Sequence, residues 1–120
     1  MKYMLLIYSE PGTEGAGTEA EQAAAMGEWF AFTQRIVESG ELVAGDPLQG
    51  IETATTISVR DGKTAITDGP FTETKEVLGG YYIVDVDSLE RAQELGAELP
   101  SAKYGRTEVR PLMELPEVSA

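Results

Sequence analysis

The 120-residue sequence contains no histidine and no cysteine. Without histidine, the usual general base near neutral pH and the commonest metal ligand are both missing. Ser-His-Asp hydrolysis and His-based zinc sites are excluded. Without cysteine there is no disulfide framework, thiol nucleophile or thiolate metal site, which fits a reducing compartment.

Positive charge is also scarce. Nine Lys and Arg stand against 21 Asp and Glu, for a net charge of −12. Such a field repels phosphate backbones and anionic membranes, so neither nucleic acid nor membrane is an expected partner. Long apolar runs are missing as well. Met1 to Tyr8 is apolar but short, and Ser9-Glu10-Pro11-Gly12 follows at once. A signal peptide or a membrane span needs a longer run, so a cytoplasmic location is expected. Repeats and low-complexity tracts are absent, and the length suits one domain over residues 1–120.

What is present reads as an alternation of strands and helices. Residues 2–8 predict a strand with Tyr3, Leu5 and Ile7 on one face and Met4, Leu6 and Tyr8 on the other. Pro11 to Gly17 reads as a loop. Residues 19–39 predict a helix opened by a Thr18/Glu21 capping box and closed at Gly40. Its apolar stripe is Met26, Trp29, Phe30, Thr33, Ile36 and Val37. Residues 41–48 predict a short strand. Residues 53–59 and 64–67 predict a hairpin across Asp61-Gly62. Residues 80–86 predict a second inner strand. A helix follows, with Asp87 and Glu90 as its capping box and Leu89, Ala92, Leu95, Gly96 and Leu99 as its stripe, and Pro100 stops it. Residues 108–112, with Pro111, predict an edge strand.

This order is an α+β, ferredoxin-like βαββαβ plan with an inserted β-hairpin. Two helices cover only one face of the antiparallel sheet. Because the inner strands are apolar on both faces, a second copy packed face to face is the simplest cover, forming a dimeric α+β barrel. Each Leu or Ile so buried contributes ~1.5–3 kcal/mol.

The most distinctive stretch runs Asp68-Gly69-Pro70-Phe71-Thr72-Glu73-Thr74-Lys75-Glu76, then Gly79-Gly80-Tyr81-Tyr82. Together with Met1 to Tyr8 and Glu108 to Leu112, it resembles the DGPF subgroup of YCII-related domains over nearly the whole chain. The resemblance implies a dimeric α+β barrel and a loosely defined function. Some relatives in that superfamily are small-molecule enzymes, and DGPF proteins are often associated with alternative sigma factors. A His-Asp pair proposed for YCII-related proteins cannot operate here, since the chain has no histidine. The place of a histidine carried by some relatives shortly before the last strand corresponds to Tyr104.

Read for chemistry, the stretch offers a pocket at the barrel mouth. Asp68 or Glu76 would be a carboxylate base, Phe71 an anchor, Lys75 an anion holder, and Tyr81 a hydroxyl or ring. Arg110 would bind a carboxylate. The structural alternative makes Asp68 to Phe71 a rigid turn, Glu73, Lys75 and Glu76 solvated charges, and Arg110 a member of a strand-edge salt bridge. Asp46, Asp68, Asp85 and Asp87 do not follow a calcium-loop pattern, so neither a metal nor a cofactor is expected. Three functions compete: a homodimeric binding module for a small organic ligand, in an accessory or regulatory role; a cofactor-independent enzyme using carboxylate acid-base chemistry; and a structural dimer without ligand.

Overall fold

In the computed structural model, which describes residues 1–10, 17–70, 75–103 and 105–116, the first strand β1 spans Lys2–Ser9. Its side chains alternate strictly. Tyr3, Leu5, Ile7 and Ser9 are buried, while Met4, Leu6 and Tyr8 are half-exposed. Helix α1 (Glu19–Glu38) follows, then β2 (Leu42–Pro47), a 3-10 turn at Ile51–Thr53, β3 (Thr55–Arg60), β4 (Lys63–Asp68) and β5 (Val77–Asp85). Helix α2 (Leu89–Glu98), a 3-10 turn at Pro100–Lys103 and β6 (Gly105–Pro111) complete the order. The expected loop at residues 11–17 lies almost wholly outside the described residues.

Four strands form one sheet in the order β2-β5-β1-β6, with each neighbouring pair antiparallel. This is the ferredoxin-like arrangement. Both helices lie on the face of Tyr3, Leu5, Ile7 and Val84. There Phe32 and Ile36 of α1 and Ala92 and Leu95 of α2 complete one buried core. Tyr82 extends the core at its rim. Its ring stacks near Trp29 and meets Phe32 edge-on, and its hydroxyl is 2.7 Å from Thr33 Oγ1. Gly45 makes room for that ring, because a Cβ there would sit 2.6 Å from Tyr82 Cδ1.

The α1 start behaves as its sequence implies. Thr18 Oγ1 accepts from the Glu21 amide at 3.1 Å and donates to the Glu21 carboxylate at 3.2 Å. Gly40, at φ +78°, takes the left-handed position after the helix. The expected stripe is only half right, however. Trp29, Thr33 and Ile36 face inward with Phe32, whereas Met26, Phe30 and Val37 are exposed. The predicted stripe is too wide, and the sheet selects the side centred on Phe32. On α2, Ser88 rather than Asp87 is the cap, its Oγ accepting from the Arg91 amide at 3.1 Å. Leu89, in the first turn, is likewise exposed rather than in the core.

Two strands begin earlier than expected. β5 starts at Val77 because a bulge around Gly79 keeps the chain paired with Tyr8 and Ser9. β6 starts at Gly105 because the whole of β1 is available as its template. The hairpin β3–β4 forms its own two-stranded sheet, turning at Asp61 (φ +52°) and Gly62 (φ +74°), as a type I′ turn requires. No side chain on it is buried.

Candidate functional site

Alternation along the four strands builds the second face of the sheet, which neither helix covers. From β1 come Met4, Leu6 and Tyr8. Opposite them on β5 stand Ile83, Tyr81 and Leu78, and on β6 stand Arg110, Glu108 and Arg106. Directly opposed residues share a face, so the middle is an apolar band and β6 is a charged border. On the other side, β2 sets Ala44 opposite Ile83 and Asp46 opposite Tyr81.

Two polar clusters frame the band. The Tyr81 hydroxyl donates to Asp46 Oδ2 at 2.9 Å. That donated bond, then the carboxylate charge, holds the phenol pKa above its ordinary value, because a phenolate there would lose the bond and face an anion. Tyr81 therefore stays a neutral donor through the physiological range. Gly80 lets β2 approach, since a Cβ would lie 3.0 Å from the Asp46 carbonyl oxygen. At the other border Arg106 Nε reaches Glu76 Oε1 at 3.3 Å, and Arg110 Nε lies 3.7 Å from Glu108 Oε2. Phenol, carboxylate and guanidinium groups thus surround an apolar floor, an arrangement suited to orienting a small aromatic or acidic molecule.

The expected site residues divide. Tyr81 and Arg110 share the open face, and Glu76 borders it through Arg106. Asp68 does not join them: it ends β4, exposed, opposite Thr55 at the base of the hairpin. The next residue, Gly69, closes that base, its amide donating to Ala54 O and its carbonyl accepting from Thr56 Oγ1, both at 2.7 Å. The rigid-turn reading therefore describes Asp68-Gly69. Lys75 projects outward and pairs with Glu10 at 3.3 Å instead of facing the band. Phe71 and Tyr104 lie outside the described residues. Arg106 was missed because the last strand was begun at Glu108; starting it at Gly105 puts Arg106, Glu108 and Arg110 on one face by alternation alone. In the sequence Asp46 reads only as a candidate metal ligand, and its partner across the sheet is a matter of register.

A second depression, of about 460 Å³, lies between the end of α1 and the start of α2 and includes Glu41, Asp85 and Arg91. Arg91 Nε and Nη2 donate to the two oxygens of Glu41 at 2.8 and 3.0 Å, and Nη1 reaches Glu94 at 3.0 Å. Hydrogen bonding from Arg91 is the largest influence lowering the Glu41 pKa, against a smaller opposing effect of burial. This fork ties α2 to the root of β2 and is structural. Among the described residues no group of acidic side chains is arranged to hold a metal, and no helix is long and apolar enough to cross a membrane.

Comparison with known proteins agrees with this architecture. The family model of the YCII-related domain matches residues 1–116. An uncharacterized protein of Rhizobium meliloti (strain 1021) is 35% identical over 114 residues, covering 93% of this chain and 92% of the relative. Among solved structures, 5-chloro-2-hydroxyhydroquinone dehydrochlorinase of Burkholderia phenoliruptrix AC1100, in complex with 2,5-dihydroxybenzoquinone, superposes with a TM-score of 0.57. It is 15% identical and is matched over 94% of each chain. That likeness shows a shared α+β fold.

Proposed function

Because the chain belongs to the family of YCII-related domains, we propose that it binds a small organic molecule on the open sheet face, roofed by the same face of a second copy. The observation that carries this reading is the composition of that face: an apolar floor of Met4, Leu6 and Ile83 between the Tyr81–Asp46 pair and the Arg106/Arg110 border. A floor of this kind exposed to water is unfavourable, and a two-fold partner would bury it while leaving the polar borders to line a cavity. The ligand class that suits these groups is a small hydroxylated or carboxylated ring. Tyr81 would donate to its oxygen, and a guanidinium would meet its negative charge. The fold neighbour was solved with a dihydroxybenzoquinone, which supports that class.

Binding is favoured over catalysis. The carboxylate bases expected for an enzyme are not poised for the role: Asp68 is away from the face, and Glu76 is engaged by Arg106. An accessory or regulatory role is consistent with that reading.

Thermal denaturation with a panel of hydroxyquinones and hydroxybenzoates tests the proposal. A ligand at about 100 times its dissociation constant adds ~2.7 kcal/mol to stability. The expected result is a raised Tm for the wild type that shrinks in Tyr81→Phe and in Arg106→Gln. Equal stabilisation of wild type and both variants would remove the ligand from this face.

A further inference from the structure

We propose that Asp46 makes the open face selective for a ring carrying a protonated hydroxyl, with any acidic group of the ligand para to it. The inference rests on the reading that this face holds a small ring, and it names the chemistry that the ring must bring.

An irregularity in β2 brings the selecting pair together. Leu42 opposes Val84 on the helix face, whereas Ala44 opposes Ile83 and Asp46 opposes Tyr81 on the open face. Regular alternation would keep Leu42, Ala44 and Asp46 on one side of the strand. With Leu42 packed against the core, an unbroken strand would carry Asp46 toward the helices. The extra residue, Val43, interrupts the alternation and re-aims the rest of β2, as bulges beside binding sites commonly do. Gly45 then falls beneath the Tyr82 ring, where a Cβ does not fit. The meeting of Asp46 and Tyr81 is thus a consequence of a specific departure from regular strand geometry.

The Tyr81 hydroxyl has one proton, and it goes to Asp46 Oδ2. A carboxylate only accepts hydrogen bonds. A ligand oxygen that takes the phenolic proton therefore strips Asp46 of its donor, unless the ligand returns one. A hydroxyl does so: its oxygen accepts from Tyr81 while its own proton goes to Asp46. An ether or a quinone carbonyl has no proton to return, and a ligand carboxylate also meets the Asp46 charge. If Tyr81 instead keeps its bond to Asp46, both groups present only lone pairs, and the ligand must again donate. Loss of the Tyr81 proton offers no escape, because the bond to Asp46 and then its charge oppose phenolate. Placement of the acidic group follows from strand order. Arg106 and Arg110 lie on β6, beyond β1 from Tyr81 on β5. Two strand spacings separate them, about 10 Å. A ring with its hydroxyl at Tyr81 reaches those guanidinium groups only from its far side.

Calorimetric titration with 4-hydroxybenzoate, its isomer 2-hydroxybenzoate and the ether 4-methoxybenzoate tests the selection. We expect the wild type to bind 4-hydroxybenzoate about tenfold tighter than either of the others, the effect of one hydrogen bond to a charged group. In Asp46→Asn the side-chain amide donates to an ether oxygen, so the preference for 4-hydroxybenzoate over 4-methoxybenzoate should disappear. Asp68→Asn, the same chemical change away from this face, should leave that preference intact. Each preference is a ratio within one variant, so a general weakening of binding cancels. Equal affinity of the wild type for the two para compounds, or a preference that survives Asp46→Asn, would overturn selection by Asp46 and leave ring binding on the face standing. Tighter binding of 2-hydroxybenzoate would overturn the para placement. Failure of the wild type to bind any of the compounds would overturn the selection and the ring-binding reading together.

Discussion

The two faces of the same sheet have been treated differently by the chain. On one face Leu5 and Val84 are fully buried beneath α1 and α2. On the other, Leu6 and Ile83, one residue away in each strand, are only half-covered. Composition does not separate them, since both are aliphatic along the inner strands. What separates them is that two helices were available and both went to one side. A covered face and an uncovered face can therefore have the same sequence character, and only exposure in the folded chain tells them apart.

Substitutions on adjacent residues break this comparison most sharply. Leu5→Ala should cost about 3 kcal/mol of folding stability, since it opens a cavity in a closed core, and urea unfolding should show the loss at every protein concentration. Leu6→Glu should act on association: sedimentation should report monomer while circular dichroism retains both helices. If Leu6→Glu unfolds the chain as Leu5→Ala does, the open face is core and the distinction fails.

A smaller effect sharpens the polar side of the comparison. Glu41 is tied down by Arg91 on the helix side of the sheet, and the pKa of its carboxyl is depressed in the folded state. Its contribution to stability is therefore present above the ordinary carboxylate range and is lost as pH falls through the folded value. Glu41→Gln should lower stability at pH 7 by about 0.5–1 kcal/mol and flatten the decline below about pH 5. An unchanged acid limb in unfolding experiments would show that the fork does not contribute.

The mildest test concerns the open face. In Asp46→Asn the Tyr81 phenol should titrate at a lower pH than in the wild type, because the acceptor charge that opposes phenolate is gone. Ultraviolet difference spectroscopy reads this directly. An identical titration would mean that the two groups are apart in solution, and the site would lose one of its borders.

Much of the architecture could be read from local signals. Thr18 and Glu21 announce the start of α1, Asp61-Gly62 the hairpin turn, and the two apolar faces of β1 its central place. The candidate site was less legible. Tyr81 and Arg110 were legible from residue type and position, but Asp46 joins Tyr81 only through strand pairing across 35 residues, and Arg106 joins Arg110 only because β6 begins at Gly105. Asp68 and Lys75 were suggested by a distinctive motif, whose described part turns out to shape the chain at the hairpin base and to carry an outward ion pair. A turn motif and a binding motif draw on the same residues, Asp, Gly and Pro, so composition does not tell them apart.

By itself the sequence determined the order of elements, the ferredoxin-like plan, and the absence of imidazole and thiol chemistry, because these depend on residue type and short-range spacing. Tertiary structure alone decided which side of α1 faces inward, where β5 and β6 begin, and which charges meet on the open face. Those outcomes depend on register between distant strands, and a shift of one residue would send every side chain to the opposite face.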